Sequence, residues 1–202
     1  MRPRQFSDDE LLQTARRCFL EHGPGVSTGL IAEELGVSQA ALFKRFKTKQ
    51  ALMMEALAPG DRPPWIDEVE AGPDERPVPL QLREVVERID AYLSQMLPCI
   101  AVLRAAGLGP ADVLRDREVP PPVLAHRTLT GWFRRLHAQG RARIPQPQAT
   151  AMAFLGALHA RHMLGHVLGS HAPTLEPDFP QTLVDLLWSG IAPSTRSEPP
   201  TP

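Results

Sequence analysis

The stretch Ser27 to Phe46, STGLIAEELGVSQAALFKRF, limits the fold more tightly than any other part of the chain. Thr28 and Ser38 each stand where a side-chain oxygen can accept from the free amides of a first helical turn. Gly36 follows Leu35, where a helix end calls for a residue that tolerates left-handed backbone. Ile31, Leu35, Val37, Leu42 and Phe46 then fall into one small shared core. Gln39, Ala40, Phe43 and Lys44 are left on the outer side of the second helix. Two short capped helices joined across a glycine turn make a helix-turn-helix.

The segments around this motif are also helical. Ser7-Asp8-Asp9-Glu10 is a capping box, a helix-starting serine with a glutamate three residues on. Leu11, Leu12, Ala15, Cys18 and Phe19 follow at helical spacing, predicting a helix to Glu21 or His22 that Gly23-Pro24-Gly25 stops. Thr48 caps a fourth helix, Lys49 to Leu57. From Pro59 to Pro79, six prolines forbid a continuous helix, and Asp61, Asp67, Glu68, Glu70, Asp74 and Glu75 make the stretch acidic. A single turn at Trp65 to Val69 is compatible with that composition. Beyond it, helical segments are expected over 80–97, then in a short piece after Pro98 to about 106. Others follow at 111–117, at 120–139, at 146–168 and from Pro177–Pro180 to Ile191. The tail from Pro193 holds proline, serine and threonine with nothing to bury, the composition of disorder. The expected architecture is all-α with about nine helices. A helix-turn-helix domain spans 1–58, a proline-rich acidic linker 59–79, a helical regulatory and dimerisation domain 80–192, and a tail 193–202.

Bulk properties narrow the partners. The 202 residues carry a formal net charge of −1, so any attraction for nucleic acid must come from a local patch. Ser38 to Lys49 supplies one: Lys44, Arg45, Lys47 and Lys49 with no acidic residue. Phosphate contacts carry most affinity for DNA, and base-edge contacts carry the choice of sequence. Ala40 and Ala41 are small enough for close approach to a groove floor, and Gln39 can pair with adenine through two bonds. Thr28 and Ser38 can present hydroxyls and backbone amides to phosphates. Two cysteines, Cys18 and Cys99, are too few for a disulfide framework and are expected in different domains. With no apolar signal region and no membrane-length apolar run, a reduced, cytoplasmic setting is expected.

Leu12 to Leu57 resembles the N-terminal domain of the tetracycline-repressor (TetR/AcrR) family of bacterial transcription regulators. The resemblance is carried by Ala15, Phe19, His22-Gly23, Ser27-Thr28, Ile31-Ala32, Leu35-Gly36-Val37-Ser38, Ala41-Leu42-Phe43, Phe46, Lys49 and Leu52. It implies double-stranded DNA as partner, with contacts from Thr28, Ser38, Gln39, Ala40, Phe43, Lys44 and Lys49, the last on the backbone. Two departures stand out. The family usually has a phosphate-binding tyrosine where Phe43 stands, and its fourth helix usually runs on as a longer rod where Pro59 here cuts it short.

The resemblance further implies a C-terminal domain that forms the dimer and holds a small-molecule pocket. Two recognition helices about 34 Å apart read a near-palindrome, which one helix cannot. Helices 146–168 and 178–191 are the interface candidates, with Ala153, Gly156, Ala157, Gly165 and Gly169 allowing close approach and Leu183, Leu186, Leu187 and Trp188 forming an apolar band. Met96, Cys99, Leu103, Leu129, Trp132, Phe133 and Met152, with His159 and His162 as polar groups, are candidates to line a pocket for an apolar or weakly polar effector. The same residues at helical spacing also read as plain core. His159, His162 and His166 share a helix face, as three zinc ligands could, but no carboxylate lies within that run. No cofactor is expected. Two other readings stay open: a regulator controlled by a protein partner, and a metal-dependent enzyme using the histidine helix. No nucleophile elbow, phosphate-binding glycine loop or paired-carboxylate motif supports an enzyme.

Overall fold

The computed structural model describes residues 6–115, 117–173 and 178–193, and among them every regular element is helical. The N-terminal helices are α1 (Asp8–His22), α2 (Thr28–Leu35), α3 (Gln39–Arg45) and α4 (Lys49–Leu57). After them come α5 (Ile66–Ala71), α6 (Val78–Ala105), α7 (Pro110–Leu114), α8 (Pro121–Ala138), α9 (Pro147–Leu168) and α10 (Phe179–Ile191), with a 3-10 turn at Gly169–His171. Apart from Pro193, the proline-rich tail lies outside the described residues.

Local chemistry sets the first four helices. Ser7 and Glu10 cap α1 reciprocally, each side chain accepting from the other's backbone N–H. Ser38 and Thr48 accept from Ala41 N and Ala51 N at the starts of α3 and α4. Gly36 ends α2 at φ +74°, a conformation that a Cβ would strain. One expectation is corrected: Ser27, not Thr28, is the cap of α2. The Ser27 hydroxyl accepts from Leu30 N, and Thr28 is already the first helical residue.

The chain divides into two units. One takes in the chain through Gly60 together with Gln95–Glu118; the other comprises Asp61–Ser94 and the chain from Val119 on. In the first, Leu11, Phe19, Ile31, Leu42, Leu52 and Leu57 are fully enclosed or nearly so, and Cys99, Leu103, Leu108 and Val113 join the same core. Arg16 donates to Gln95 O, and Arg117 to Pro59 O, tying the later segment onto the early one. Both cysteines therefore lie in one core, contrary to the expectation of separate domains. Both are free, and burial raises each thiol's pKa, keeping it protonated and unreactive.

In the second unit α8 packs on α9, where Phe133 meets Trp132 and Phe154 edge to face at centroid distances of 5.4 and 5.8 Å. The 59–79 stretch is more ordered there than its prolines suggest. Trp65 is buried, α5 lies against α8, and Arg135 donates to Val69 O and Glu70 O. Arg141 donates to Asp74 O and Arg76 O, while Arg76 pairs with Asp74 and Glu84. Hydrogen bonds from Arg76 hold both carboxyls below their ordinary pKa.

Helix α6 runs without interruption through Pro98. The sequence suggested a break there, because proline cannot donate to the carbonyl four residues back. The residues beyond it, Cys99 and Leu103, are fully buried, and that burial outweighs the missing bond.

Candidate nucleic-acid interface

Leu42 is the buried residue that seats α3, and it fixes which side of this short helix faces outward. Gln39, Ala40, Phe43 and Lys44 are all exposed, as their spacing in the sequence implied. Ser38 is also exposed, with its hydroxyl committed to the Ala41 amide. Phe43 projects a ring without a hydroxyl, so it offers apolar contact and no phosphate bond.

The expected cations separate into two groups. Arg45 pairs with Asp8 and lies 4.9 Å over the ring of Phe6, which ties the end of α3 to the start of α1. Lys44, Lys47 and Lys49 make no ion pair among the described residues; Lys49 opens α4 beside its Thr48 cap. A free ammonium on an exposed helix end retains its full attraction for phosphate, whereas Arg45 must break a pair to contribute. Arg17 bonds Glu34 at 3.1 Å, bracing α1 against α2.

Thr28 is nearly enclosed, and its hydroxyl accepts from Gln39 Nε2 at 2.6 Å. Neither this bond nor the Arg45–Asp8 pair had a sequence signal: their partners are 11 and 37 positions apart and meet only once three helices have packed.

The nine residues proposed to line an effector pocket are divided between the two units. Met96, Cys99 and Leu103 belong to the first unit, the last two in the core that carries α3. Leu129, Trp132 and Phe133 are buried in the second unit, whereas Met152 is 61% exposed on α9. The physical reason is the passage of α6 from one unit into the other, which no local pattern announces.

The histidine helix resolves differently from a metal site. His159 Nδ1 lies 2.9 Å from Leu155 O within its own helix. His162 Nε2 lies 2.8 Å from Asp90 Oδ1, and Arg161 donates to both oxygens of the same carboxylate. The orienting carboxylate missing from that run thus arrives from α6, and it builds an ion-paired link between α6 and α9. The side chain of His166 is outside the described residues, and among those described no three His, Cys, Asp or Glu side chains are placed to hold a metal. None of the described helices is long and apolar enough to cross a membrane.

Comparison with known proteins bears on the same helices. Residues 11–56 match the family model described as bacterial regulatory proteins, tetR family. No curated protein sequence gives a match. Among solved structures, a protein of Mesorhizobium loti assigned to the TetR-family transcriptional regulators superposes with a TM-score of 0.68 at 17% identity, covering 92% of this chain and 96% of its own. SmeT, the repressor of the Stenotrophomonas maltophilia multidrug efflux pump SmeDEF, gives 0.60 at 21% identity, with 98% of each chain covered. The flavonoid-responsive regulator FrrA gives 0.55 at 18% identity, covering 93% of this chain and 97% of its own.

Proposed function

We propose that the protein is a homodimeric, effector-responsive regulator that binds a near-palindromic operator; residues 11–56 match the tetR-family model, and the chain has the fold of solved regulators of that family. Repression is the proposed sign of control; SmeT, with the same fold, is a repressor. The observation that carries the reading is the outer side of α3, where Gln39, Ala40, Phe43 and Lys44 are exposed together beside the unpaired Lys47 and Lys49. Lysines supply phosphate contact, the small and amide side chains supply base contact, and Leu42 holds them in one orientation.

A second copy of the chain is the proposed dimer partner. Met152, Gly156, Ala160, Met163 and Val167 recur every three or four residues along α9 and are all exposed, an unpartnered stripe. A Cβ built at Gly156 or Gly165 meets nothing within 4 Å, which leaves room for another helix. Effector response is proposed for the second unit, by analogy with the flavonoid response named for FrrA. Leu129, Trp132 and Phe133 are buried there with the hydroxyl-bearing Thr128 and Thr130, and His162, Arg161 and Asp90 form a polar cluster between α9 and α6 of the same unit. A largely apolar molecule with one polar group matches that chemistry. Control follows from population shift: the effector favours a dimer whose α3 helices no longer match the half-site spacing.

Duplex binding measured against salt tests the assignment. Lys44→Ala and Lys49→Ala should each weaken binding to all sequences and lower the salt slope by about one. If both variants keep the affinity and slope of the parent, α3 and the start of α4 are not the DNA surface.

A further inference from the structure

Thr28 and Gln39 are the first residues of α2 and α3, and the bond between them is short: Gln39 Nε2 donates to Thr28 Oγ1 at 2.6 Å. Because Ser27 caps α2, the Thr28 hydroxyl is not used by its own helix. It is also only 8% exposed, so water competes poorly for it. An exposed glutamine ordinarily samples several rotamers and both orientations of its amide. A bond to a fixed, nearly buried hydroxyl holds the rotamer, and with the hydroxyl as acceptor it also sets which way the amide faces. The amide nitrogen is turned toward α2, and the carbonyl, which diverges from the nitrogen at the same carbon, is turned away.

We infer that Thr28 is a positioning residue for base readout, holding Gln39 so that its Oε1 faces the groove as an acceptor. This inference rests on the DNA-binding role proposed above. An acceptor held at that point pairs with an exocyclic amino group, adenine N6 or cytosine N4. Guanine O6 and thymine O4 are acceptors themselves and meet it unfavourably. The second N–H of Gln39 Nε2 remains available, so adenine, which offers N7 beside N6, takes two bonds and cytosine takes one. Adenine is therefore preferred, then cytosine, with guanine and thymine disfavoured.

Selection of bound duplexes from a random-sequence pool by the full chain, followed by competition among the four bases at each position, tests the inference. Gln39→Ala locates the position read, as the one where discrimination disappears. Thr28→Val, nearly isosteric, should lose about tenfold of the discrimination there and little elsewhere. Thr28→Ser should retain it. In the Gln39→Ala background Thr28→Val should change nothing more at that position. Guanine or thymine selected by the parent protein at the Gln39-dependent position overturns the inference, and this readout stands even where Thr28→Val fails to fold. So does a Thr28→Val variant that weakens all sequences equally with base preference intact, or whose effect persists undiminished without Gln39. A parent protein that enriches no sequence at all sinks the DNA-binding role itself, and the inference with it.

Discussion

At the scale of single residues, Gly72 shows how backbone and side chain constrain one position twice. Its φ of +104° lies where L side chains are strained, and a Cβ there would stand 3.0 Å from Arg135 Nε. Arg135 in turn bonds Val69 O and Glu70 O, so yielding to that Cβ would loosen the end of α5. Gly72→Ala should therefore cost about 1–3 kcal/mol, read as a lower melting temperature, with DNA affinity at 25 °C unchanged. A melting temperature equal to that of the parent would show that the segment relaxes freely. Other single positions divide by whether their partners are local. Ser7, Ser38 and Thr48 were legible as caps because each bonds an amide three residues on. Thr28 was misassigned because Ser27 beside it is equally competent, and only the packed helices show which of the two is free for Gln39. Arg45 counted as a DNA cation in sequence, and its pairing with Asp8 depends on the α1–α3 arrangement.

At the scale of elements, α1 to α4 were legible almost to the residue, since capping boxes, a C-terminal glycine and a proline stop are all chemistry within a turn or two. Helix α6 was not, because its continuity is decided by distant burial. The missing donor of Pro98 falls opposite the carbonyl of Ser94, and Ser94 is the last residue assigned to the second unit. The one gap in the α6 ladder therefore coincides with the passage between units. An interior proline costs a helix about 3 kcal/mol, and its restriction of the unfolded chain returns up to about 1 kcal/mol. Pro98→Ala should then raise global stability by about 2 kcal/mol in denaturant titration. A loss of stability on that substitution would mean that the proline ring packs well enough to outweigh the missing bond. If effector control travels along α6, the same variant should also shift the effector concentration needed to release DNA.

At the scale of the whole molecule, the surface that bears on dimerisation is the stripe on α9, and α10 also leaves one large apolar side chain exposed. Val167 is 68% exposed and Leu186 67%, whereas Leu183 and Val184 of α10 turn into their own core. The apolar band read from the sequence at Leu183, Leu186, Leu187 and Trp188 is thus split, with Leu183 holding the unit together and Leu186 left outside. An exposed side chain makes little contribution to its own fold, so Val167→Asp should change monomer stability by no more than about 0.5 kcal/mol. Across a helix-helix interface the same change places a carboxylate against apolar surface, once from each subunit. Sedimentation at micromolar concentration should show the parent at twice 22.3 kDa and Val167→Asp at 22.3 kDa. DNA binding should follow the mass. A dimer gains from holding its second reading helix near the second half-site, an effective-concentration advantage of about 100-fold or more. Val167→Asp should lose that factor on a duplex with both half-sites and bind a single half-site as the parent does. A parent protein that runs as a monomer, or a variant that stays dimeric, would remove α9 from the interface and leave its exposed stripe without this partner.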